Sequence, residues 1–473
     1  MTSTAPVEPT GNQEIDALLS GRMWSAPSLT YSFPTQASFY GSGYGQGEPL
    51  DGFRPLDARQ IGAVQSVLAE MASVANLTFV QVQETAATHA TLRLAMSAAP
   101  SSAWTYTPEE YPEAGDTWFG TANGWYDAPR PGNYGYYTML HELGHALGLK
   151  HGNESGMYGA LPYAHDSMEY SVMTYRSYVG ASGQYMENET WGYAQSLMMD
   201  DIAALQHMYG ANFSTRSGDT VYRFDPATGE AFIDGQGQGA PGGNRIFETI
   251  WDGGGTDTYD LSNYATNLSV DLRPGAWSTL SGAQLAQLGS GHLARGNIAN
   301  ALLYEGDPRS LIENATGGRG NDTITGNAAA NVLKGGAGGD RLAGLGGNDA
   351  LYGGGGNDVL TGGAGADVFV FDTVPNRSSN LDRIADFNPA DDTIALDRSV
   401  FVALFPLAGT AGHLDPSEFW TGTRAHDPSD RIVYDAATGA ISYDADGTGR
   451  AAPVQFAQLG KGLALTAGDF LIA

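Results

Sequence analysis

Cysteine is absent from this chain of 473 residues. Its absence excludes disulfide bonds, zinc sites built on thiolates and cysteine nucleophiles. Basic residues are few as well: 23 Lys and Arg stand against 52 Asp and Glu, which gives a formal net charge of −29. A protein that binds the phosphate backbone needs a basic surface, so we expect no nucleic-acid partner.

Long apolar runs are also missing. No run approaches the roughly 18 residues of a transmembrane helix, so we expect no membrane span. Residues 1–30 contain one cation, Arg22, and no apolar core of a cleavable secretory signal. We interpret residues 1–20, which are polar apart from a short possible helix, as an N-terminal leader or propeptide. Glycine is instead abundant, with 65 residues, about twice its usual share.

The pattern of residues 21–215 predicts a mixed α+β domain. Residues 28–33 and 77–82 are typical of strands, and residues 58–75 have apolar residues at helical spacing. A second helix is expected over residues 200–209, which begin with two acids and end before Gly210. From residue 216 onward, short apolar pairs separated by Gly, Asp and Asn indicate an all-β region. We divide it at residue 385, with residues 386–473 as a C-terminal β region.

Residues 317–370 consist of six units of nine residues. Asp occupies the sixth position of five units, and the eighth position is apolar in all six. A glycine-rich segment can turn tightly, and the next three residues can form a short strand with one side chain in a narrow core. A flexible linker is the alternative, but it would not keep the apolar eighth position.

Two such units would complete one coil, so a cation could lie between loops two units apart. Carboxylate and carbonyl oxygens without thiol or imidazole suit Ca²⁺. The repeats resemble the repeats-in-toxin calcium β-roll. The predicted calcium ligands in the repeats are Gly318, Gly320, Asp322, Gly335, Gly338, Asp340, Gly347, Asp349, Gly356, Asp358, Gly365 and Asp367. Asn331 and Leu345 depart from the pattern, which weakens the prediction of a calcium site beside each.

Three histidines lie within residues 141–151, which read HELGHALGLKH. On a helix, His141 and His145 project from one face toward one ion. Gly148 can end the helix in a left-handed conformation, so that His151 supplies a third nitrogen. Three imidazoles leave positions for water, as in a catalytic zinc site. We expect Glu142 to lie nearer solvent and to act as general base.

The segment SVMTY follows at residues 171–175. Together with the elongated histidine motif it resembles the Met-turn of the metzincins. Tyr175, two residues after Met173, and the downstream repeats point to the serralysins. Further segments that carry this resemblance over nearly the whole chain lie at residues 18–34, 189–212 and 246–262.

The resemblance implies roles for several residues. Met173 would form a hydrophobic floor beneath the metal without binding it. Tyr175 would be a movable zinc ligand whose hydroxyl stabilises the oxyanion. Calcium sites ahead of the repeats would use Arg216 through its carbonyl oxygen, together with Gly218, Thr220, Asp252, Gly254, Asp257 and Glu313. Gly152 stands where many members have Pro directly after the third histidine, which concerns substrate preference more than the reaction.

The fold predicted is an α+β metzincin-like zinc protease domain followed by an all-β parallel β-roll or β-sandwich. The function predicted is a secreted, extracellular zinc endopeptidase stabilised by several Ca²⁺ ions and made as a zymogen. Its partners would be protein or peptide substrates, a small protein inhibitor and bacterial one-step export machinery that reads a C-terminal segment. We expect a monomer.

Two other classes of protein remain as alternatives. One is a calcium-dependent cell-surface or adhesion module with an inactive protease domain, against which the intact histidine motif and Tyr175 argue. The other is a repeat-bearing lipase, for which no G-x-S-x-G element appears in an N-terminal α/β context. His165, Asp166 and Glu169 could form a second metal cluster, but we interpret them as polar residues of a loop. His207 is interpreted as a packed or capping residue of its helix.

Overall fold

The computed structural model describes residues 2–183, 185–404 and 412–473. The α-helices described in its first part are α1 (Gln13–Asp16), α2 (Ala58–Val74), α3 (Tyr134–Leu147) and α4 (Met199–Tyr209). Its strands are β1 (Thr4–Pro6), β2 (Arg22–Trp24), β3 (Ser28–Ser32), β4 (Thr78–Gln81), β5 (Leu92–Ser97), β6 (Ala103–Thr105) and β7 (Thr117–Gly120). The helices predicted over residues 58–75 and 200–209 are therefore present, as are both predicted strands.

A five-stranded sheet with the order β4-β3-β5-β7-β6 supports this part of the chain. Its pairs are parallel except that β6 runs antiparallel to β7, so β6 forms an edge. Helix α2 is capped by Asp57, whose side chain accepts hydrogen bonds from two backbone amides of the first turn. Its apolar face, which includes Val64 and Leu68, is buried in the same core as Leu140 and Leu143 of α3. The core thus holds α3 against α2.

The second part of the chain consists of strands. In chain order they are β8 (Val221–Phe224), β9 (Ala231–Ile233), β10 (Gln236–Gly237), β11 (Glu248–Ile250), β12 (Thr258–Asp260), β13 (Ser269–Asp271), β14 (Trp277–Ser278), β15 (Gln287–Gly289), β16 (His292–Leu293), β17 (Ile298–Asn300), β18 (Asn314–Thr316), β19 (Thr323–Thr325), β20 (Val332–Ala337), β21 (Arg341–Gly346), β22 (Ala350–Gly355), β23 (Val359–Ala364), β24 (Val368–Phe371), β25 (Asp382–Ile384), β26 (Thr393–Leu396), β27 (Phe419–Thr421), β28 (Ile432–Asp435), β29 (Ala440–Tyr443), β30 (Val454–Gln458) and β31 (Phe470–Ile472). The prediction of a mostly β C-terminal region is confirmed.

Consecutive strands of the repeats alternate between two sheets. One sheet has the order β10-β9-β8-β12-β18-β20-β22-β24-β26-β31, and the other β13-β19-β21-β23-β25-β30-β29-β28-β27. Leu333 pairs in parallel with Leu351, and Leu342 with Leu360, so one coil takes two units. The eighth position of every unit is buried between the sheets: Ile324, Leu333, Leu342, Leu351, Leu360 and Phe369.

Both ends of the described chain are packed. Ala17, Leu18 and Leu19 are completely buried, and β1 pairs with β2. At the other end, β31 pairs with β26. Met1 of the predicted leader and residues 405–411 of the predicted C-terminal region lie outside the described residues. The role of residues 1–20 as a leader and the domain boundaries stay predictions. None of the helices in the described ranges combines the length and apolar character needed to cross a bilayer.

Candidate active site

Helix α3 carries the first two histidines of the motif and ends where the motif requires. Asn133 caps its first turn by accepting a hydrogen bond from the Tyr136 amide. At the other end, Gly148 takes the left-handed conformation, with φ of 109°. A Cβ atom there would come within 2.4 Å of the Arg22 carbonyl oxygen. Glycine is therefore needed both for the helix end and for the approach of the N-terminal segment.

The structure brings together the Nε2 atoms of His141, His145 and His151. Their separations are 3.2 Å for His145 to His141, 2.9 Å for His145 to His151 and 3.1 Å for His151 to His141. On the other side of each ring, Nδ1 donates to a fixed acceptor. These acceptors are the carbonyl oxygen of Val172 at 2.7 Å, the carbonyl oxygen of Leu149 at 2.8 Å and the Glu154 carboxylate at 2.7 Å.

This hydrogen bonding selects one tautomer of each imidazole. Because carbonyl and carboxylate oxygens only accept, Nδ1 carries the proton and Nε2 keeps a lone pair in the neutral ring. Burial lowers the pKa of His141 to about 3 and also lowers that of His145. Three converging lone pairs cannot satisfy one another, whereas a single cation can accept all three. The group fits a metal ion held by imidazole nitrogens.

Glu142 lies beside this group, but not where the sequence placed it. The prediction that its side chain is nearer solvent is wrong, since only 5% of the residue is exposed. The edge strand β6 covers it, and the hydroxyl of Thr105 donates to its Oε2 at 2.9 Å. Burial raises the pKa of Glu142 to about 8, opposed by that hydrogen bond. A buried carboxyl group with a raised pKa, next to histidines that can hold a metal ion, is suited to accepting and donating protons.

The predicted Met-turn passes beneath the histidines. Met173 is fully buried, and a Cβ atom on Gly144 would come within 2.7 Å of its sulfur. Helix α3 and the methionine thus pack closely because Gly144 has no side chain. Tyr175 extends upward from the turn, and its hydroxyl lies 2.6 Å from Nε2 of His151. Burial raises the pKa of Tyr175 to about 12, so its phenol keeps its proton.

A cleft of about 330 Å³ opens over the histidines. Glu142, His145, His151 and Tyr175 line it from below, and Trp104 and Thr105 of β6 line one side. Because β6 is an edge strand, its outer backbone groups face away from the sheet and can pair with an extended peptide.

Asp201 is a residue of this site that sequence reasoning missed. Its carboxylate accepts from the hydroxyl of Ser171 at 2.6 Å and the amide of Val172 at 2.7 Å, and so fixes the start of the Met-turn. The two acids at the start of α4 suggested only a favourable interaction with the helix dipole. Asp200, the other one, binds Nδ1 of His165 at 2.8 Å.

The second metal cluster considered from the sequence, His165 with Asp166 and Glu169, does not come together, because both acids pair with arginines. Asp166 pairs with Arg176 at 2.7 Å, and Glu169 with Arg295 at 3.5 Å. His165 instead lies between Asp200 and Glu14, and each of its ring nitrogens faces a carboxylate oxygen. Burial opposes protonation, but the hydrogen bond with Asp200 raises the pKa of His165. This is the geometry of an ion-paired imidazolium.

His207, interpreted from the sequence as packed or capping, binds the carbonyl oxygen of Glu8 through Nε2 at 2.7 Å. The contact joins α4 to the N-terminal segment.

Three acids predicted as calcium ligands ahead of the repeats converge. Asp257 accepts from the Thr220 amide at 2.8 Å, and its own amide donates to Glu313 at 2.7 Å. Asp252 accepts from the Gly254 amide at 2.8 Å. Burial raises the pKa of both aspartates, each of which lies beside the other.

The other predicted ligands ahead of the repeats lie close by. The guanidinium of Arg216 is directed to the carbonyl oxygen of Trp251, and the carbonyl oxygen of Gly218 accepts from the Thr220 hydroxyl at 2.9 Å.

The aspartates of the repeats form two ladders. The Asp322 amide donates to Asp340 and the Asp340 amide to Asp358, both at 2.7 Å. On the other edge, the Asn331 amide donates to Asp349 at 2.8 Å and the Asp349 amide to Asp367 at 2.9 Å. Each contact spans 18 residues.

One oxygen of most ladder carboxylates has no partner. Among the described residues, the buried Oδ2 atoms without a hydrogen bond include those of Asp257, Asp340, Asp349, Asp358 and Asp367. Backbones of the predicted glycines in successive turns stack closely, since a Cβ on Gly356 would lie 1.5 Å from the Gly338 oxygen. The same close stacking relates Gly338 to Gly320 and Gly365 to Gly347. Such orphaned oxygens fit a hard cation.

The remaining predicted ligands and the two departures from the pattern also have definite places. The Gly318 amide donates to Asp322 at 2.8 Å, and Gly335 packs against the Asp340 carboxylate. At Asn331, the side-chain amide donates to the Glu313 carbonyl oxygen at 2.7 Å and to Asn327 at 3.0 Å. Leu345 adopts a φ of 77°, an unfavourable conformation for a residue with a side chain.

The ladders also continue past the repeats, which the sequence did not predict. The Asp358 amide donates to Asp382 at 3.0 Å and the Asp367 amide to Asp392 at 3.1 Å. Both acids lie beyond the sixth unit, Asp382 as the first residue of β25 and Asp392 directly before β26.

Comparison with known proteins agrees with these features. Residues 211–404 match the family described as Peptidase M10 serralysin C terminal. The chain is 34% identical over 320 residues to metalloprotease AprA of Pseudomonas entomophila. The aligned region covers 63% of this chain and 59% of that protein. The chain is 35% identical over 314 residues to serralysin C of Dickeya chrysanthemi, which covers 63% of this chain and 58% of the relative. The chain thus spans less than two thirds of these relatives, and its resemblance to the serralysins is confirmed.

Proposed function

We propose, from this similarity to the serralysins, that the protein is a secreted zinc-dependent endopeptidase with a metzincin-like catalytic fold. One observation carries the proposal: three imidazoles, each fixed through Nδ1, converge through Nε2 next to a buried carboxyl. Imidazole nitrogens in this number leave room for water and substrate, as in catalytic zinc sites. His141, His145 and His151 would hold the ion, with Tyr175 as a further ligand.

The residues of the cleft divide the reaction between them. Zinc, when bound, supplies a Lewis acid and lowers the pKa of water. Glu142 takes the proton of the attacking water and passes it to the leaving amine. The Tyr175 hydroxyl donates a hydrogen bond to the developing oxyanion. The edge strand β6 aligns the peptide in an extended conformation.

Ca²⁺ is proposed as the structural cation of the repeats and of the site around Asp252, Asp257 and Glu313. The unpartnered carboxylate oxygens and stacked glycine carbonyls support this assignment, because a cation compensates buried like charges there. Extracellular calcium modules bind at roughly 10⁻⁴ to 10⁻³ M. The roll would therefore gain its stability outside the cell, in agreement with secretion.

Substitution of Glu142 tests the catalytic assignment. Glu142→Ala should keep one zinc per chain and lose casein hydrolysis by at least about 10²-fold, because the general base is gone. Turnover of casein and metal content of the same preparation are measured together. Glu110→Ala, which changes an exposed glutamate, should be indistinguishable from the unaltered protein.

Near-normal turnover of Glu142→Ala would overturn the role of the base, and absence of zinc from an active preparation would overturn the zinc site. The alternative of an adhesion module with an inactive protease domain predicts no hydrolysis by the unaltered protein. The complete histidine group and Tyr175 do not favour it. A small protein inhibitor, export machinery and a monomeric state stay predictions.

A further inference from the structure

The ammonium group of Lys150 is buried between the third histidine and the N-terminal segment. Only 8% of the residue is exposed. Its Nζ donates to the carbonyl oxygens of Ala17, Glu154 and Gly159, the last two at 2.7 Å and 2.9 Å. Within the described ranges, no carboxylate lies at ion-pair distance from Nζ. Nζ also lies 3.4 Å from the carbonyl oxygen of His151. Its three N–H donors are thus all matched by carbonyl acceptors, which makes burial of this charge tolerable.

The carbonyls of Ala17, Glu154 and Gly159 belong to two segments far apart in sequence. Ala17 follows α1, whereas Glu154 and Gly159 lie in the loop after His151. The N-terminal segment also pairs with the backbone just before His151. There the Lys150 amide donates to the carbonyl oxygen of Leu18 at 2.8 Å, and the Ser20 amide donates to that of Gly148 at 2.9 Å. The N-terminal segment is therefore attached to the backbone that carries the third histidine.

Side chains extend this attachment along the loop. The amide of Gln13 donates to the carbonyl oxygens of Tyr158 at 2.9 Å and Ala160 at 3.0 Å. The Tyr158 hydroxyl in turn donates to the carbonyl oxygen of Val7. Residues 7–20 thus contact the loop at residues 158–160, and Lys150 is the buried centre of the contact.

Lys150 also bears on the orientation of His151. The Glu154 carboxylate accepts from Nδ1 of His151, and the carbonyl of the same glutamate accepts from Lys150. Glu154 is otherwise a solvent-facing residue with a side chain 53% exposed. The buried ammonium fixes the backbone from which that carboxylate reaches the imidazole. Partners that hold a ligating histidine from its far side set its orientation and the affinity for the metal.

We propose that Lys150 is a positioning residue of the metal site, which joins residues 7–20 to the loop of the third ligand. The inference rests on the proposed zinc site. It follows that residues 17–20 are part of the working site, and that a leader could be removed only ahead of them.

Lys150→Met tests the proposal, because methionine keeps much of the buried stem and removes the three donors. We expect a zinc dissociation constant raised about 10- to 100-fold, measured by competition with a chromogenic chelator in the presence of Ca²⁺. The d–d spectrum of the cobalt-substituted protein should also change, since His151 is no longer held in one orientation. Lys334→Met, a lysine of the repeats outside this site, is the matched control and should leave both measurements unchanged.

A second measurement uses the unaltered chain and does not depend on folding of the variant. If metal and N-terminal segment are coupled through Lys150, removal of zinc must loosen that segment. Hydrogen exchange of the amides of Ser20 and Lys150 should accelerate when zinc is removed and Ca²⁺ is kept. Amides of the repeats serve as internal reference and should not change.

The outcomes separate the inference from the function on which it rests. Unaltered protein that binds no zinc would overturn the proposed function itself. The positioning role would be overturned if the unaltered protein binds zinc normally while Lys150→Met has a zinc dissociation constant within twofold of that protein's and an unchanged cobalt spectrum. So would equal exchange of the Ser20 and Lys150 amides with and without zinc.

Discussion

The histidine group and the aspartate ladders differ in how far the protein itself satisfies the groups that would bind a cation. Around His141, His145 and His151, every Nδ1 is already bonded to a protein acceptor, and burial keeps at least the first two rings neutral. In the ladders, carboxylates such as Asp340 and Asp349 keep one buried oxygen without a partner among the described residues.

The difference teaches which part of the molecule needs its cation in order to fold. Neutral imidazoles in a packed core cost little when the site is empty. Unpaired carboxylates cost several kcal/mol unless they are protonated or bound to a cation, because a buried charge loses its hydration. We therefore expect the first region to keep its overall fold without metal, apart from local loosening of the N-terminal segment, and the second region to depend on its cation for folding.

The largest expected effect comes from removing the two metals separately. A calcium-selective chelator should abolish most of the β signal of residues 216–385, since each site at 100 times its dissociation constant contributes about 2.7 kcal/mol. A zinc chelator in the presence of Ca²⁺ should leave that signal intact while activity is lost. Far-ultraviolet circular dichroism and limited proteolysis measure both. If removal of zinc alone unfolded the protein, the histidine site rather than the repeats would be the region that needs its cation in order to fold.

The second effect is a dependence on pH that appears only without Ca²⁺. Burial raises the pKa of Asp340 to about 7 and that of Asp349 to about 6. The folded roll then binds more protons than the unfolded chain, so its stability falls as pH rises from about 4 to 7. The calcium-free protein should regain β signal when the pH is lowered from about 8 to 5. A signal that instead weakens on acidification would contradict the raised values.

The smallest effect concerns one ladder position. Asp340→Asn keeps an acceptor for the Asp322 amide but removes a buried charge. We expect weaker calcium binding together with a calcium-free form more stable by about 1–3 kcal/mol, the cost of leaving a buried polar group unsatisfied. Calcium titration and urea unfolding in chelator measure the two. Asp307→Asn, which alters a surface acid paired with Arg309, should change neither; parallel losses of both quantities in Asp340→Asn would refute the cation ladder.

Local spacing explains what the sequence could predict. His141 and His145 are one helical turn apart, and the nine-residue period fixes which apolar side chains enter the roll. The buried state of Glu142 could not be foreseen, because β6 covers it from 37 residues away. Asp201 reaches the Met-turn across 30 residues, and Lys150 reaches Ala17 across 133. Contacts between residues so far apart in sequence depend on the packing of whole helices and strands, and they leave no periodic pattern in the sequence.

The same limit applies at the end of the roll. Asp382 and Asp392 follow the previous ladder acid by 24 and 25 residues instead of 18. A search for the strict repeat therefore stops one position too early on each edge.

The ladders have a direction, because every amide in them is satisfied by the carboxylate that comes later in the chain. A truncated chain that ends within the repeats would always present a last turn whose amide has no acceptor, however many turns it contained. Each turn is consequently closed from the downstream side, and in a growing or emerging polypeptide the last turn of each ladder is closed only when the segment holding Asp382 and Asp392 has become available.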